Sequence, residues 1–458
     1  MDKLSSIREE IYSTRGEEPY EQVLRRVQSN IASSLQQNIE EISEAELKEI
    51  IGKYITSHGV KCDLTSSVAE LTNYIYHDMA GLSFITRDRL FEREGFEEID
   101  INAWNNIEIV TEGKRQKTDY SFLSPQHAID IHQRMFRKTG TIFNEAQPRA
   151  TADIGDGIRI TAQKCPIIDA DIAVASSIRK VNMNVISREK LIEGKALNEL
   201  MFGFLLLCVK RGVSLIISGE TGAGKTTLAG CLLSIAAETL RIYTIEEGSR
   251  EWNFVFKDAE GKPVNSVIHT RTRPNEENPS LNIDQESLVK DSLRFDPDII
   301  SPGEIRGREA FETMSVANTG HTVVTTIHSN STLDTPTRVI ALAKRAYDLS
   351  DDTLYEMETN AFPILVHTEK LSDNKRRITE IREVMGYENR KVQSRMLFEF
   401  VIEDNIYEGD VCTEVVGAFI HENPISESLA QRLLKKGARR AEIEPYIKFG
   451  RDNVCLIS

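Results

Sequence analysis

The chain has 458 residues, 40% of them hydrophobic, enough for about two or three domains with real cores. Its net charge of −15, from 71 acidic against 56 basic side chains, argues against a nucleic-acid groove as the main surface, because phosphate binding needs a basic field. No run reaches the roughly 18–20 apolar residues of a membrane span, and the opening MDKLSSIREE has no apolar h-region, so the expectation is a soluble cytoplasmic protein without a transmembrane segment.

Residues 1–80 read as a helical bundle. Val23, Val27, Ile31 and Leu35 recur at i+4, and Leu47, Ile50, Ile51, Tyr54 and Ile55 form a second stripe. Ser43 with Glu46, and Ser67 with Glu70, are spaced as capping boxes, in which the serine oxygen takes a free N–H of the first turn. The remaining positions are charged, and the outer face of the bundle is a candidate docking surface for a partner. From 81 to 182 the texture is α+β. EEIDINAWNNIEIV (97–110) gives two short strands around an Asn-Asn turn, SPQHAIDIHQRMFRKTG (124–140) a helix with a glycine stop, and ADIGDGIRITAQ (152–163) a hairpin at Asp-Gly.

Residues 183–196 read as a polar linker. Between 197 and 400 helices alternate with buried strands, the pattern of a mostly parallel sheet covered by helices. The apolar strand candidates are 214–218, 241–245, 298–301 and 322–327, with FPILVHTEKL and RRITEIREVMGYE following as further strand-like runs. Residues 401–458 read as a C-terminal helical extension, on the charged run ISESLAQRLLKKGARRAEIEPYIKFG. The six cysteines are scattered, with no C-x-x-C and no zinc spacing, and Cys208 and Cys231 read as small core residues.

The strongest signal is SLIISGETGAGKTTLAGCLLSIAA, which fits G-x-x-x-x-G-K-[ST] from Gly219 to Thr226, between a β-rich run and a helical one. Glycines let the backbone N–H groups of Gly219, Glu220, Thr221, Gly222, Ala223 and Gly224 wrap phosphates, and a helix N-terminus adds partial positive charge. Lys225 supplies a point charge for the β- and γ-phosphates, the Thr226 hydroxyl can ligate Mg²⁺, and Thr227 closes the binding stretch. The cofactors read from this stretch are a nucleotide and Mg²⁺.

Three other strand ends carry chemistry. Glu246 and Glu247 follow RIYTI, Glu304 follows DIISPG, and His328 follows TVVTTI. Singly, each is more often a solvated loop residue. In an open α/β sheet, however, ligands sit outside the carboxyl ends of the strands, so these groups converge on the P-loop. The abrupt stop in FDPDIISPGEIRG then aims Glu304 at the metal and the attacking water.

In this order the motifs resemble those of the type II/type IV secretion ATPases, and within them the CpaF/TadA-like pilus and secretion branch. GETGAGKT matches the family's Walker A, TIEEGSRE resembles its Asp box, SLRFDPDIISPGEIRGREAFETMSVANTGH its Walker B region and NTGHTVVTTIHSNS its His box. EAQPRATADIGDGIRITAQKCP and ASSIRKV are similar to segments of its N-terminal domain, and LSDNKRRITEIREVMGYE to its closing hairpin, so the likeness covers roughly residues 81–400. The resemblance implies a RecA-like P-loop ATPase domain, α/β, preceded by an α+β domain that closes over the nucleotide. It makes Glu304 the Walker B acid and, with Thr226, a metal ligand. Glu246 or Glu247 becomes the Asp-box acid and His328 a γ-phosphate sensor. Arg179 in SSIRK would reach the nucleotide from the N-terminal domain, and Arg271 and Arg273 in IHTRTRP are candidate arginine fingers. Arg306 is expected to pair with an acid. Three positions depart from the family pattern: Ser301 and Pro302 stand where apolar residues are usual, which would end the strand early and shift Glu304; Glu246-Glu247 stands for Glu-Asp; and Glu251 lies one residue late in its box.

The resemblance also implies six chains in a ring, with hydrolysis passed as motion to an inner-membrane platform protein. The expected function is an ATPase motor for assembly of a type IV, Tad-like pilus or for type II/IV secretion, peripheral at the inner face of the cell membrane, with no direct nucleic-acid contact. Two other functions compete. A conjugative DNA-transfer ATPase would carry a basic, aromatic-lined channel. A non-hydrolysing nucleotide-sensing scaffold would lack the Walker B acid or the P-loop lysine, whereas Glu304 and Lys225 are both present.

Overall fold

A computed structural model describes residues 18–34, 42–155, 157–180, 185–248, 250–273, 281–447 and 455–456. The chain divides into two compact units, Met1–Val181 and Asn182–Ser458. In the first, helices α1 (Tyr20–Ser34), α2 (Glu44–Ser57) and α3 (Val68–Met79) pack the predicted stripes together: Val23, Val27, Ile31, Leu47, Ile51 and Ile55 are all buried, while Leu35 lies outside the described residues. Both predicted serine caps form, Ser43 accepting from Glu46 N–H and Ser67 from Glu70 N–H. Short α4 (Phe84–Arg87) then leads into six antiparallel strands: β1 (Phe96–Ala103), β2 (Asn106–Thr111), β3 (Lys114–Lys117), β4 (Arg149–Asp153), β5 (Ile158–Lys164) and β6 (Val174–Lys180), ordered β3-β2-β1-β6-β5-β4. Helix α5 (Pro125–Arg137), capped by Ser124, buries Ala128, Ile131, Met135 and Phe136 in the core this sheet shares. Asp78 ties bundle to sheet domain: Tyr20 Oη donates to its carboxylate at 2.7 Å, and Arg134 of α5 donates to its backbone carbonyl at 3.3 Å.

The second unit is built on ten strands. In chain order its elements are α6 (Arg188–Glu193), α7 (Glu199–Lys210), β7 (Leu215–Gly219), α8 (Lys225–Ala236), β8 (Ile242–Glu246), β9 (Val267–Arg271), α9 (Gln285–Ser292), β10 (Ile299–Pro302), α10 (Glu309–Asn318), β11 (Thr322–Ile327), α11 (Thr335–Ala343), α12 (Asp351–Ala361), β12 (Ile364–Lys370), β13 (Arg376–Glu388), β14 (Lys391–Glu408), β15 (Val411–His421), α13 (Glu427–Lys435), α14 (Arg440–Ile447) and β16 (Cys455–Leu456). The order is β16-β15-β14-β13-β12-β7-β11-β10-β8-β9, parallel from β12 to β9 and antiparallel beyond β12. Successive residues of the central strands enter two different cores. Leu215, Ile217, Val324, Ile364 and Val366 face one, and Ile216, Val323 and Leu365 the other. A strand covered on both faces has no polar side, which is why these runs are continuously apolar.

Two segment boundaries differ from the sequence reading. The 183–196 stretch is not a plain linker, because Ser187 caps α6 and Leu191 enters the main core. The 401–458 stretch is helical only from Glu427; residues 401–408 and 411–421 continue the sheet as β14 and β15. Phe398, Phe400, Val415 and Phe419 alternate into the core there, and Gly409, at φ +63°, makes the tight turn. The acidic composition of that hairpin masks its period of two. The predicted charged helix breaks into α13 and α14 at Gly437, φ +86°, and both pack on α7 and the sheet through Leu429, Leu433, Ile443 and Tyr446.

Candidate functional site

The P-loop connects β7 to α8. Gly219, Gly222 and Gly224 hold φ of +149°, +78° and +97°, and a Cβ at Gly219 would stand 2.2 Å from the Thr368 carbonyl of β12. Among the described residues no side chain caps α8, so the N–H groups of its first turn lack a cap partner. Lys225 is buried and folds back: Nζ donates to the carbonyls of Gly219 and Glu220 at 2.9 Å each and lies 3.3 Å from His328 Nδ1. Burial lowers its pKa. Thr226 offers its carbonyl to Trp252 Nε1 at 3.1 Å, which fastens the helix start to the loop after β8.

The predicted acids gather at the neighbouring strand ends. Pro302 does not cut β10 short. It is the strand's last residue, paired with Ile245, and a proline costs nothing where the ladder needs no further donor. Gly303 N–H donates to Ile245 O at 2.8 Å. Thr325 and Thr326 of β11 donate their hydroxyls to the Pro302 and Gly303 carbonyls at 2.7 and 2.8 Å. Glu304 is therefore held firmly at the strand end. Its Oε2 accepts from Arg306 Nη2 at 2.8 Å, while Arg306 Nη1 reaches Glu247 Oε2 at 2.9 Å, the acid pairing expected of Arg306. The bond to Glu304 raises the arginine's pKa further. His328 Nε2 stands 3.1 Å from Glu304 Oε1. Since lysine only donates, His328 Nδ1 accepts; its Nε2 approaches Glu304 Oε1 without hydrogen-bond geometry. Lys225, His328, Glu304, Arg306 and Glu247 thus form one continuous polar chain.

The two Asp-box candidates part company. Glu247 is exposed and, among the described residues, held through Arg306. Glu246 is buried: its Oε2 accepts the backbone N–H groups of Glu251 and, at 3.1 Å, Trp252. A Cβ at Gly303 would meet Glu246 Cγ at 3.8 Å, so this carboxylate lies beside the backbone that carries Glu304. Among the described residues, Glu246 Oε1 and Glu304 Oε1 are both buried without a hydrogen-bond partner. Buried carboxylate oxygens are costly when unmatched. Two of them beside an uncapped helix N-terminus, a lysine and a threonine hydroxyl fit a phosphate chain with a divalent cation, the groups that Gly219–Thr227 and Glu304 would hold.

Other predicted residues stand apart. Arg271 and Arg273 lie at the outer edge of the sheet, on and just past β9, a strand the sequence reading missed, with Arg271 in register with Glu246. Arg179 is exposed on β6 of the first unit, in register with Glu98 and Arg159. Three supporting residues escaped the sequence reading. His269 of β9 meets Thr244 Oγ1 at 2.7 Å and takes the Phe254 N–H at 3.2 Å, packing behind Glu246. Glu309 Oε1 accepts the N–H groups of Arg306 and Gly307 at 2.6 Å, fixing the turn after Glu304. Arg376 Nε donates to the Gly222 carbonyl at 2.8 Å. Only Glu309 left a readable signal, a carboxylate following the Gly-Glu-x-Arg-Gly core.

Against known proteins, residues 157–442 match the family model described as type II/IV secretion system protein. Conjugal transfer protein TrbB of Rhizobium radiobacter is 29% identical over 225 residues, 48% of this chain and 63% of its own length. A putative conjugal transfer protein of Mycobacterium tuberculosis is 23% identical over 312 residues, 66% of this chain and 84% of its own. The type IV pilus assembly ATPase PilB of Pseudomonas aeruginosa is 32% identical over 138 residues, 30% of this chain and 22% of its own. The match thus spans under two thirds of the length of TrbB and of PilB. Among solved structures, the Legionella pneumophila ATPase DotB is similar at 18% identity and TM-score 0.47, over 67% of this chain and 81% of that one.

Proposed function

This chain belongs to the type II/IV secretion system protein family, and on that premise we propose that it is an ATP-hydrolysing motor. The observation that carries the reading is the polar chain Lys225–His328–Glu304–Arg306–Glu247 beside the uncapped P-loop helix. Phosphate oxygens take the N–H groups of the loop and draw Lys225 from the Gly219 and Glu220 carbonyls. Glu304 orients the attacking water and accepts its proton, with Glu246 as the supporting acid behind it. His328, within reach of both Lys225 and Glu304, senses the γ-phosphate. Mg²⁺ held by Thr226 and Glu304 would neutralise the charge developing on the transferred phosphoryl group.

Arg271 and Arg273, on the open edge of the sheet, serve a neighbouring copy's nucleotide. Turnover then depends on an assembled ring, taken as six chains. The finer reading is the CpaF/TadA-like branch: a motor at the inner face of the membrane that drives pilus assembly or protein secretion through a platform protein. A second reading, conjugative DNA transfer, is favoured by the relatives described as conjugal transfer proteins; the net charge of −15 counts against direct DNA contact.

The test is Mg²⁺-dependent ATP hydrolysis across a range of protein concentrations, with Glu304→Gln beside the wild type. Turnover per chain that climbs steeply with concentration and vanishes in the variant supports the motor. Tight ATP binding without turnover by the assembled wild type would overturn it in favour of a nucleotide-sensing scaffold.

A further inference from the structure

β7 carries the P-loop between two neighbours, β11 on the side of the catalytic acids and β12 on the other. Everything assigned so far comes from the first side. On the second, β12 turns into β13, and the first residue of β13 is Arg376. Its Nε donates to the Gly222 carbonyl at 2.8 Å, and its aliphatic chain lies against Gly224, where a Cβ would touch Arg376 Cδ at 3.5 Å. Among the described residues its two terminal amino groups meet no acceptor, although the side chain is fixed on the loop. An exposed arginine ordinarily keeps its rotamer freedom, so this placement has a cost that something must offset.

The turn that presents Arg376 is unusually well determined. Leu371 N–H donates to Lys375 O and Asn374 N–H to Leu371 O, both at 2.9 Å. Buried Asp373 accepts from both amino groups of Arg377 at 2.9 and 2.8 Å, from Lys375 N–H at 3.1 Å and from Val415 N–H of β15 at 3.2 Å. Strand alternation does the rest: Arg377 points into the core, and its neighbour Arg376 points out, onto the P-loop. A buried ion pair that locks a surface turn makes sense if the turn has a residue to aim.

We propose that Arg376 belongs to the nucleotide site: it holds the P-loop at Gly222 and adds its guanidinium charge to the phosphate cradle from the side opposite Glu304. The free amino groups are the donors it offers, and phosphate is the partner that a planar, permanently charged fork suits. This inference rests on the reading of Gly219–Thr226 as a nucleotide loop.

The experiment measures equilibrium binding of a fluorescent ATP analogue with Mg²⁺ to the full chain, for the wild type, Arg376→Ala, Arg376→Lys and Lys225→Ala. The expected result is at least about ten-fold weaker binding by Arg376→Ala and a smaller loss by Arg376→Lys, which keeps the charge without the fork, with unliganded melting unchanged, as for an exposed charge-assisted contact. Arg376→Ala binding as tightly as the wild type, while Lys225→Ala has lost binding, would overturn the proposal and leave the P-loop reading intact. Undiminished binding by Lys225→Ala would instead sink the P-loop reading, and this inference with it.

Discussion

The two halves of the ten-stranded sheet use buried carboxylates in opposite ways. In the parallel half, Glu246 and Glu304 sit just at or beyond strand ends, and each keeps one buried oxygen without a hydrogen-bond partner. In the antiparallel half, Asp373 and Glu383 have every oxygen engaged: Asp373 by Arg377, Lys375 and Val415, and Glu383 by the backbone N–H and hydroxyl of Ser426 at the start of α13. A fully matched buried acid serves the fold. An acid left half-matched costs stability and persists where a ligand completes it. The contrast separates chemistry from architecture within one sheet.

The contrast breaks first at Glu304. Glu304→Gln is expected to cut ATP turnover by about 10³-fold, roughly 4 kcal/mol of barrier, while nucleotide still binds and melting stays near that of the wild type. A comparable loss of melting temperature would place Glu304 with the structural acids. The mirror experiment is Asp373→Ala. Removing one partner of a buried pair strands Arg377, so unfolding is expected to come about 4 kcal/mol more easily, as read by denaturant titration. Asp373 also gives a pH signature. Burial pushes its carboxyl up, but the bonds from Arg377, Lys375 and Val415 prevail and hold it near 2. Its contribution is present above its ordinary value of 3.8 and is lost as pH falls from there towards 2, so the acid limb of the stability curve should flatten in the variant.

Glu358 sharpens the comparison as its exception. On α12 it is wholly buried, both oxygens lack a partner among the described residues, and burial pushes it up to about 8, so it is mostly neutral at pH 7. The folded protein holds this proton more tightly than the unfolded chain. The contribution of Glu358 to stability is therefore greatest at low pH and falls as pH rises from 4.5 to about 8. The stability of Glu358→Gln relative to the wild type should grow across that window, by on the order of 4 kcal/mol at pH 8. A difference that stays constant with pH would mean the carboxyl is not held protonated. The smallest effect belongs to the surface: breaking the exposed Arg25–Glu21 pair, at 2.6 Å in α1, should change stability by less than about 0.5 kcal/mol.

Much of this was legible in the sequence. The P-loop glycines, the strand ends at Glu246, Glu304 and His328, and the serine caps at Ser43 and Ser67 are local devices, encoded by residues within a few positions of each other. The strand β9, the β14–β15 hairpin and the helix within 183–196 were not legible. Val267–Arg271 is short and only half-buried, and the hairpin's outward face is charged, so neither shows a clean alternation. What holds the chain after Ser301-Pro302 was not legible either, because the hydroxyls of Thr325 and Thr326, from another strand, secure the carbonyls at that end.

The sequence by itself determined which residues can do chemistry and which backbone turns present them, because spacing, capping and burial period act over a few residues. Tertiary structure decided which of them meet. Whether Glu246 or Glu247 is buried, which acids Arg306 bridges, and that Arg376 lies on Gly222, 154 positions away, follow from strand order and register. Order and register are set by the packing of whole faces against two cores, a property no single stretch of sequence carries.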